Sequence, residues 1–217
     1  MRVRPISPSA LVEEVADVAV ARLDATGARW LRMAVDGPPP AEPGRLADAL
    51  VDSLRVRGRA ALHVRADDFL RPASVRLEHG RTNPDAYYED WLDTAGLRRE
   101  ALDPLGADGS GRVLPALWNA ATDRAARAGY VALPPGGVLL VSGALLLGAG
   151  LPFDLAVHLA MSAGALARRT DDDLAWTLPA YRRYADEVGP EGFADIVVRV
   201  DDPRHPAIAR AGVADGS

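Results

Sequence analysis

The chemistry available to this chain is limited by two reactive residue types that it lacks. Its 217 residues contain no cysteine, and all 25 of its basic residues are arginine. Without cysteine there are no disulfides, thiolate metal sites or cysteine nucleophiles. Without lysine there is no Schiff-base chemistry and no role that depends on a lysine ammonium group. Carboxylates, hydroxyls, histidines, arginines and aromatic rings remain.

Two aspartates and an aromatic cluster are the first candidates for a site. Asp67 and Asp68 directly follow the short apolar segment 61–64, an arrangement that is also typical of a turn or a helix N-cap. Tyr87, Tyr88 and Trp91 stand at near-helical spacing within a polar segment, and such spacing can equally describe a packed helix face. The residues alone leave both pairs of interpretations open.

Three further polar features favour structural roles. His63 and His158 fall within apolar segments typical of strands, which favours hydrogen-bonded core or edge positions. The aspartates at 171–173 are consecutive, so on a helix they point in different directions and indicate a solvated cap. We therefore expect no metal site.

Composition favours one α/β domain over residues 1–217, since the chain is too short for two comfortable ones. The net charge of −5 and the pI near 5.4 favour neither nucleic acid nor an anionic membrane as a partner. The most apolar run, Val138–Leu147, is about half the length that spans a bilayer. A cytoplasmic location is the expectation.

The hydrophobic pattern alternates between strands and helices. An amphipathic helix is predicted within residues 1–28, and a second over 44–54. The predicted strands begin at Trp30, Ala61, Val138, Leu155 and Ile196, and the β-loop-α-β order indicates a parallel sheet of five strands. Residues 71–111 form a polar insertion typical of a substrate-covering region. Residues 166–184 read as a helix interrupted at 170–173, and the tail beyond Pro203 reads as frayed.

The order and spacing of several motifs resemble the uridine-kinase-like family of P-loop nucleoside kinases, in particular its actinobacterial members. The motifs extend over residues 32–203, and they are Asp36-Gly37-Pro38-Pro39, Asp67-Asp68-Phe69-Leu70-Arg71, Asn83-Pro84-Asp85-Ala86-Tyr87-Tyr88, Thr122-Asp123-Arg124, the strand ending in Ser142-Gly143, and Ala194-Asp195-Ile196. The resemblance implies a three-layer α/β/α fold with a five-stranded parallel sheet. It also implies that ATP binds at the first strand-loop-helix and that a nucleoside lies under the insertion.

The phosphate-binding loop departs from the family pattern at each position that carries its chemistry. A loop of this type uses glycine backbone N–H groups, a lysine and a Mg²⁺-binding hydroxyl to hold a polyphosphate. Aligned without a gap behind Gly37, the chain has Pro40 and Glu42 at the two glycine positions, Pro43 at the lysine position and Gly44 at the hydroxyl position. Proline has no N–H to donate, and Glu42 adds a charge that repels phosphate.

The magnesium side of the resemblance is altered as well, whereas the acceptor side is retained. Ser142 stands where the family places a Walker B-like carboxylate, and a neutral hydroxyl is the poorer Mg²⁺ ligand. Asp67 matches the aspartate that acts as general base on the nucleoside hydroxyl. The resemblance also implies a set of nucleoside-binding residues, which are Asp68, Phe69, Arg71, Asn83, Asp85, Tyr87 and Tyr88. It further implies a lid over residues 165–190 that carries Arg168 and Arg169.

The resulting hypothesis is a pseudokinase that binds a nucleoside-like small molecule or regulates, with no cofactor of its own. One alternative is an active nucleoside or small-molecule kinase in which Arg45, assisted by Arg168 and Arg169, replaces the loop lysine. ATP and Mg²⁺ are cofactors only under that alternative. A second alternative is a scaffold that binds a protein partner.

Overall fold

A computed structural model describes residues 3–210 of the chain. The strands within this range, numbered along the chain, are β1 (Val3–Pro5), β2 (Trp30–Asp36), β3 (Ala61–Arg65), β4 (Arg112–Val113), β5 (Trp118–Asn119), β6 (Arg124–Ala125), β7 (Val131–Ala132), β8 (Gly137–Gly143), β9 (Leu155–Ala160), β10 (Ile196–Arg199) and β11 (Ala207–Arg210). The short strands β4 to β7 form two small ribbons outside the main sheet.

Helices lie in four of the ten connections between these strands. They are α1 (Pro8–Thr26), α2 (Pro43–Val56), α3 (Ala73–Arg76), α4 (Pro84–Glu89), α5 (Thr94–Leu97), α6 (Ala163–Arg169), α7 (Leu178–Glu187) and α8 (Pro190–Phe193). Tighter 3₁₀ turns span Pro39–Ala41, Ala66–Phe69, Asp103–Leu105 and Asp172–Thr177, and a π-helical turn spans Arg98–Leu102. The interruption predicted at 170–173 is confirmed, because α6 ends at Arg169. No helix in the described range is long and apolar enough to span a bilayer.

The main sheet has seven strands in the order β1-β11-β10-β9-β2-β8-β3. The five strands from β10 to β3 run parallel, and they are the five that the hydrophobic pattern predicts. The predicted total of five is wrong, because β11 pairs antiparallel with β10 and β1 pairs antiparallel with β11. These two strands are only three and four residues long, and their pairing brings together residues 3–5 and 207–210. The segment beyond Pro203, expected to be frayed, therefore contains a strand.

Helices cover both faces of the sheet, so the fold has three layers. On one face α1 and α2 pack against alternate sheet residues such as Met33 and Leu140. On the other face, residues 97–105 pack against Leu139 and Val141, and α7 contributes Tyr184 to a smaller cluster. The sequence of a strand that is covered on both faces is a nearly continuous apolar run, which is why the hydrophobic pattern predicts these five strands.

Two glycines allow the carboxyl ends of the central strands to meet. The Gly37 N–H donates to the Gly143 carbonyl over 2.9 Å, which joins the residue after β2 to the end of β8. A Cβ atom added at Gly143 would lie 2.5 Å from the Ala66 Cβ, and one at Gly37 would lie 2.8 Å from the Leu159 Cβ. Only glycine fits these contacts. The turn that begins at Ala66 and carries Asp67 is therefore held directly against β8.

We expect Gly143→Ala to destabilise the protein, because the added methyl group must displace the backbone at Ala66. The expected loss is about 1–3 kcal/mol in the free energy of unfolding, the range typical of overpacking. Gly192→Ala is the matched control, since a Cβ there meets nothing within 4 Å. Urea unfolding of the two variants checks the prediction, and equal stabilities would contradict it.

Candidate functional site

A cavity of about 820 Å³ opens at the carboxyl edge of the parallel strands. This edge is where α/β sheets usually bind ligands, and the volume is typical of a small-molecule site. The cavity lies between the phosphate-loop segment, the turn after β3, the polar insertion and α7. Its wall includes Pro39, Pro40, Ala66, Asp67, Leu70, Tyr87, Tyr88, Glu89, Trp91, Leu145, Ala149, Arg169, Asp171, Trp176, Tyr181 and Tyr184.

Aromatic rings form one wall of the cavity. Tyr87 lies at the centre of this cluster, with its ring centroid 5.1 Å from Trp91, 5.6 Å from Trp176 and 6.0 Å from Tyr181. The Tyr87 and Tyr181 hydroxyls also share a hydrogen bond of 2.8 Å. These edge-to-face contacts fill the interior of the cluster, so a ligand can meet only its outer surface. Because Tyr87 belongs to α4 and Tyr181 to α7, the wall joins the insertion to the lid-like region.

Asp67 is the carboxylate of the cavity wall that follows the carboxyl end of β3. Residues 3–210 provide it with neither a hydrogen bond nor an ion pair, although the charge of Arg65 acts on it from a distance. The Asp67 side chain is open to the cavity space, while protein surrounds that space on several sides. Loss of bulk water around the carboxyl raises its pKa above the usual value, and Arg65 opposes the shift. Asp67 is thus available to a ligand.

The other acceptor-side residues named from the sequence are placed differently. Besides Asp67, only Tyr87 and Tyr88 line the cavity. Phe69 is fully buried in the hydrophobic core, and Asn83 caps α4 by accepting hydrogen bonds from the amides of residues 85 and 86. The remaining residues lie outside the cavity lining: Asp68, whose pKa is raised by burial, Arg71, which lies near Asp90, and Asp85, which pairs with Arg183.

The phosphate-loop segment turns its amides toward the protein. Five N–H groups of residues 37–46 donate to backbone carbonyls, and these belong to Gly37, Ala41, Glu42, Arg45 and Leu46. Four other residues of the segment are prolines, which have no N–H. Of the ten residues, only Gly44 has an amide outside these two groups. A phosphate-binding nest requires several free amides that converge on one point, and this segment does not provide them.

Glu42 has a backbone conformation that is typical of glycine. Its φ of 56° lies in the left-handed region, which glycine adopts readily and which costs other residues about 1–2 kcal/mol. The exposed Glu42 carboxylate pairs with Arg45 at 3.1 Å, and the Arg45 side chain is 81% exposed. Arg45 therefore points along the surface toward Glu42, and it does not line the cavity.

Ser142, His63 and Asp48 form a hydrogen-bonded series beside Gly44. His63 Nε2 lies 2.7 Å from Ser142 Oγ, and His63 Nδ1 lies 2.7 Å from Asp48 Oδ1. A Cβ atom added at Gly44 would lie 3.7 Å from Ser142 Oγ, so Gly44 and Ser142 are neighbours. Although these three side chains are of the types found in a hydrolase triad, Ser142 is buried and lies outside the cavity lining, out of reach of a substrate carbonyl.

The fit of ATP and Mg²⁺ to these residues is poor. The loop offers almost no free amides, Pro43 replaces the lysine, and Glu42 is negatively charged. Among the described residues no group of three or more His, Asp or Glu side chains could hold a metal ion. The residues present therefore do not fit the ATP–Mg²⁺ complex that a P-loop kinase uses.

A second buried network, centred on Asp36, was not found from the sequence. Asp36 is completely buried; its Oδ1 accepts the Leu146 N–H at 2.9 Å, and its Oδ2 lies 2.6 Å from His158 Nδ1. The Tyr184 hydroxyl donates to the same Oδ2 at 3.1 Å and accepts the Leu147 N–H at 3.0 Å. Burial and the adjacent Asp36 raise the pKa of Tyr184. The network ties β2, β9, α7 and the loop after β8 to one carboxyl group.

The lid-like region is fastened to the insertion by Arg183. This arginine contacts Glu89 at 2.7 Å and Asp85 at 3.2 Å on α4, and it contacts Glu187 at 2.7 Å on its own helix. Its guanidinium carbon also lies 4.6 Å from the centroid of the Tyr88 ring. The contacts hold α7 against α4.

The two arginines named from the sequence as lid residues lie on α6 and are placed differently from each other. Arg169 lines the cavity and donates to the Val200 carbonyl, whereas Arg168 is exposed and lies outside the cavity lining.

Comparison with solved structures identifies the fold. A possible uridine kinase from Bacillus stearothermophilus superposes with a TM-score of 0.64 at 21% identity, covering 85% of this chain and 98% of that one. A candidate fructose transport system kinase from Silicibacter sp. TM1040 superposes with a TM-score of 0.61 at 19% identity, covering 82% of this chain and 95% of that one. The YGR205w protein superposes with a TM-score of 0.64 at 12% identity, covering 95% of this chain and 100% of that one. No family model and no curated protein matches the chain. The chain has the uridine-kinase-like P-loop kinase fold, and identities this low show the fold alone.

Removing the Tyr184 hydroxyl should destabilise the protein, because Asp36 and the Leu147 amide each lose a buried partner. We expect Tyr184→Phe to lower the free energy of unfolding by about 1–3 kcal/mol. Tyr130→Phe is the control, since the exposed Tyr130 hydroxyl donates to Glu100 at the surface. The change in the free energy of unfolding of this variant should be within experimental error. Chemical denaturation measures both, and a stable Tyr184→Phe protein would disprove the role of this hydroxyl.

Loss of the Arg183 side chain should loosen α7 from α4 without unfolding the sheet. In Arg183→Ala, we expect amide hydrogen exchange over residues 171–187 to become roughly tenfold faster, while exchange in β2 and β8 stays unchanged. Arg182→Ala is the matched control, because Arg182 is the exposed neighbour on the same helix. Equal exchange in the two variants would show that the contacts of Arg183 do not hold the helix.

Proposed function

We propose that this protein is a pseudokinase that binds an unphosphorylated, nucleoside-like small molecule and does not transfer phosphate. The observation that carries the proposal is the conformation of residues 37–46, whose amides are bonded internally and whose Pro39 and Pro40 form part of the cavity wall. Where a kinase of this fold would hold phosphate, this chain presents proline rings. The fold supports the class of ligand, and the altered loop supports the loss of transfer.

Electrostatics support the absence of a bound polyphosphate. Among the described residues that line the cavity, Arg169 is the only basic one, whereas three are acidic, namely Asp67, Glu89 and Asp171. A triphosphate would bring several negative charges close to these carboxylates, without the lysine and magnesium that normally neutralise them. The hydrogen-bonded side chains of Ser142, His63 and Asp48 offer no replacement for the metal.

The part of the cavity formed by Asp67 and the aromatic wall suits a ligand that contains a ring. The outer surface of the aromatic wall offers Tyr and Trp rings against which a flat base can pack. Asp67 can accept a hydrogen bond from a ligand hydroxyl, as the resemblance to nucleoside kinases implies for this position. Ligand binding without turnover is consistent with a sensing or regulatory role.

The alternative of an active kinase that uses Arg45 has less support from the geometry. Arg45 pairs with Glu42 at the surface and would have to break that pair and turn inward to reach the cavity. Arg169 does line the cavity, yet one guanidinium cannot replace both a lysine and a metal ion. A scaffold that binds only a protein partner is the remaining alternative, and the cavity gives no reason to prefer it.

Binding measurements test the proposal directly. We expect at least one of uridine, cytidine, adenosine and guanosine to raise the melting temperature with rising concentration, because a ligand that binds only the folded state stabilises it. ATP with Mg²⁺ should not raise the melting temperature. The transfer of labelled phosphate from ATP to the nucleosides should be no faster than it is without protein. Phosphate transfer that Asp67→Asn abolishes would refute the pseudokinase assignment, and no shift with any nucleoside would favour the scaffold.

Two variants locate the binding and test the alternative. Ala149→Trp should weaken nucleoside binding about tenfold or more, because Ala149 is an exposed part of the cavity wall and the indole occupies ligand space. Ala121→Trp, at an exposed position outside the cavity lining, is its control. Arg45→Ala should leave nucleoside binding unchanged, whereas an active kinase that depends on Arg45 would lose phosphate-dependent binding.

A further inference from the structure

The charges of the cavity wall are not balanced. Of its three carboxylates, Glu89 is paired with Arg183 at 2.7 Å, and Asp171 lies exposed at the start of the 3₁₀ turn before α7. Arg169, the basic residue of the wall, donates to the Val200 carbonyl. Asp67 and Asp171 have neither a side-chain hydrogen bond nor a counter-ion from the described part of the chain, and of these two only Asp67 follows a strand of the parallel sheet. The interior of the cavity is therefore negatively charged when Asp67 is ionised.

The groups that face Asp67 do not neutralise it. Arg65, at the end of β3, is the cation that acts on it, but the Arg65 side chain is 62% exposed and lies 3.6 Å from Asp48. The adjacent Asp68 repels it. From α4 and α7, Tyr87 and Tyr181 approach closely enough for the Asp67 charge to raise their pKa values further, beyond the larger effect of burial. Their hydroxyls are bonded to each other.

We propose that the ligand of this cavity carries a positively charged ammonium group that pairs with Asp67. A ring of the same ligand packs against the aromatic wall formed by Tyr87 and Trp176. The inference rests on the proposed function and narrows its ligand class from nucleoside-like molecules to amine-bearing ones. Aromatic faces attract cations, and a carboxylate that has no partner among the described residues can form a charge-assisted hydrogen bond with an ammonium group. Both features disfavour a phosphate.

The arrangement favours an ammonium over a hydroxyl at this position for an electrostatic reason. A hydroxyl donates one hydrogen bond to Asp67 but leaves the negative charge of the cavity uncompensated. An ammonium group donates hydrogen bonds to the carboxylate and also cancels its charge. In a working kinase the acceptor hydroxyl is required by the reaction, whereas a chain that only binds is free of that requirement.

The test compares two ligands that differ only in this group. The tightest of the four nucleosides is measured by calorimetry beside its 5′-amino-5′-deoxy analogue, with wild-type protein and with Asp67→Asn. We expect the amine to bind wild type about tenfold or more tightly than the parent nucleoside. In Asp67→Asn, which keeps the shape of the side chain and removes its charge, the preference for the amine should disappear.

The pH profile separates a charge pair from a simple hydrogen bond. Affinity for the amine should rise as pH increases through the elevated pKa of Asp67, since only the ionised carboxylate attracts a cation. It should fall again as the amine loses its proton at about pH 8–10. The parent nucleoside should show the rise without the fall.

The outcomes distinguish this inference from the function on which it rests. Equal or weaker binding of the amine, with the parent nucleoside still bound, overturns the cationic ligand and leaves the binding function standing. An amine preference that persists in Asp67→Asn overturns the assignment to this carboxylate. If none of the nucleosides binds, the proposed function and this inference both fail.

Discussion

The complete burial of the Asp36 carboxyl group is the constraint on which the carboxyl edge of this sheet depends. A buried carboxyl must have all of its hydrogen-bonding capacity satisfied by the protein, since an unpaired one costs several kcal/mol. Here the partners come from β9, from α7 and from the loop after β8, so meeting this requirement fixes three elements around the end of β2. Tyr184, one of these partners, also lines the cavity. The shape of the cavity therefore follows from a network that no ligand needs to contact.

The segment 37–46 shows that packing and phosphate binding make separate demands on a loop. Gly37 makes a close approach to β9, and Glu42 adopts a left-handed backbone. The prolines of the segment have no N–H to donate to a phosphate, and two of them, Pro39 and Pro40, form part of the cavity wall. Backbone geometry is imposed by packing around the loop, whereas phosphate binding depends on amides and charges that packing does not require.

The polar side chains beside Gly44 satisfy one another. The Ser142 hydroxyl is hydrogen-bonded to His63, which is hydrogen-bonded in turn to Asp48. A buried polar group without a partner would be destabilising, and hydrogen bonds between neighbouring side chains avoid that cost. The described residues leave no buried side-chain nitrogen or oxygen without a partner. Asp67 is not subject to this requirement, because its side chain is exposed to the cavity space.

The sequence by itself determined the five parallel strands and the absence of amide donors at the four prolines of residues 37–46, because apolar runs and residue types are local properties that can be read along the chain. Only the tertiary structure decided that Phe69 is core while Tyr87 lines a cavity, and that Asp36 is the centre of a network. Those outcomes depend on which segments pack together, and α4, α7 and β2 are far apart in sequence. The edge pairing of β1 with β11 was missed for the same reason: three- and four-residue strands carry too little pattern, and their partners are almost the whole chain away.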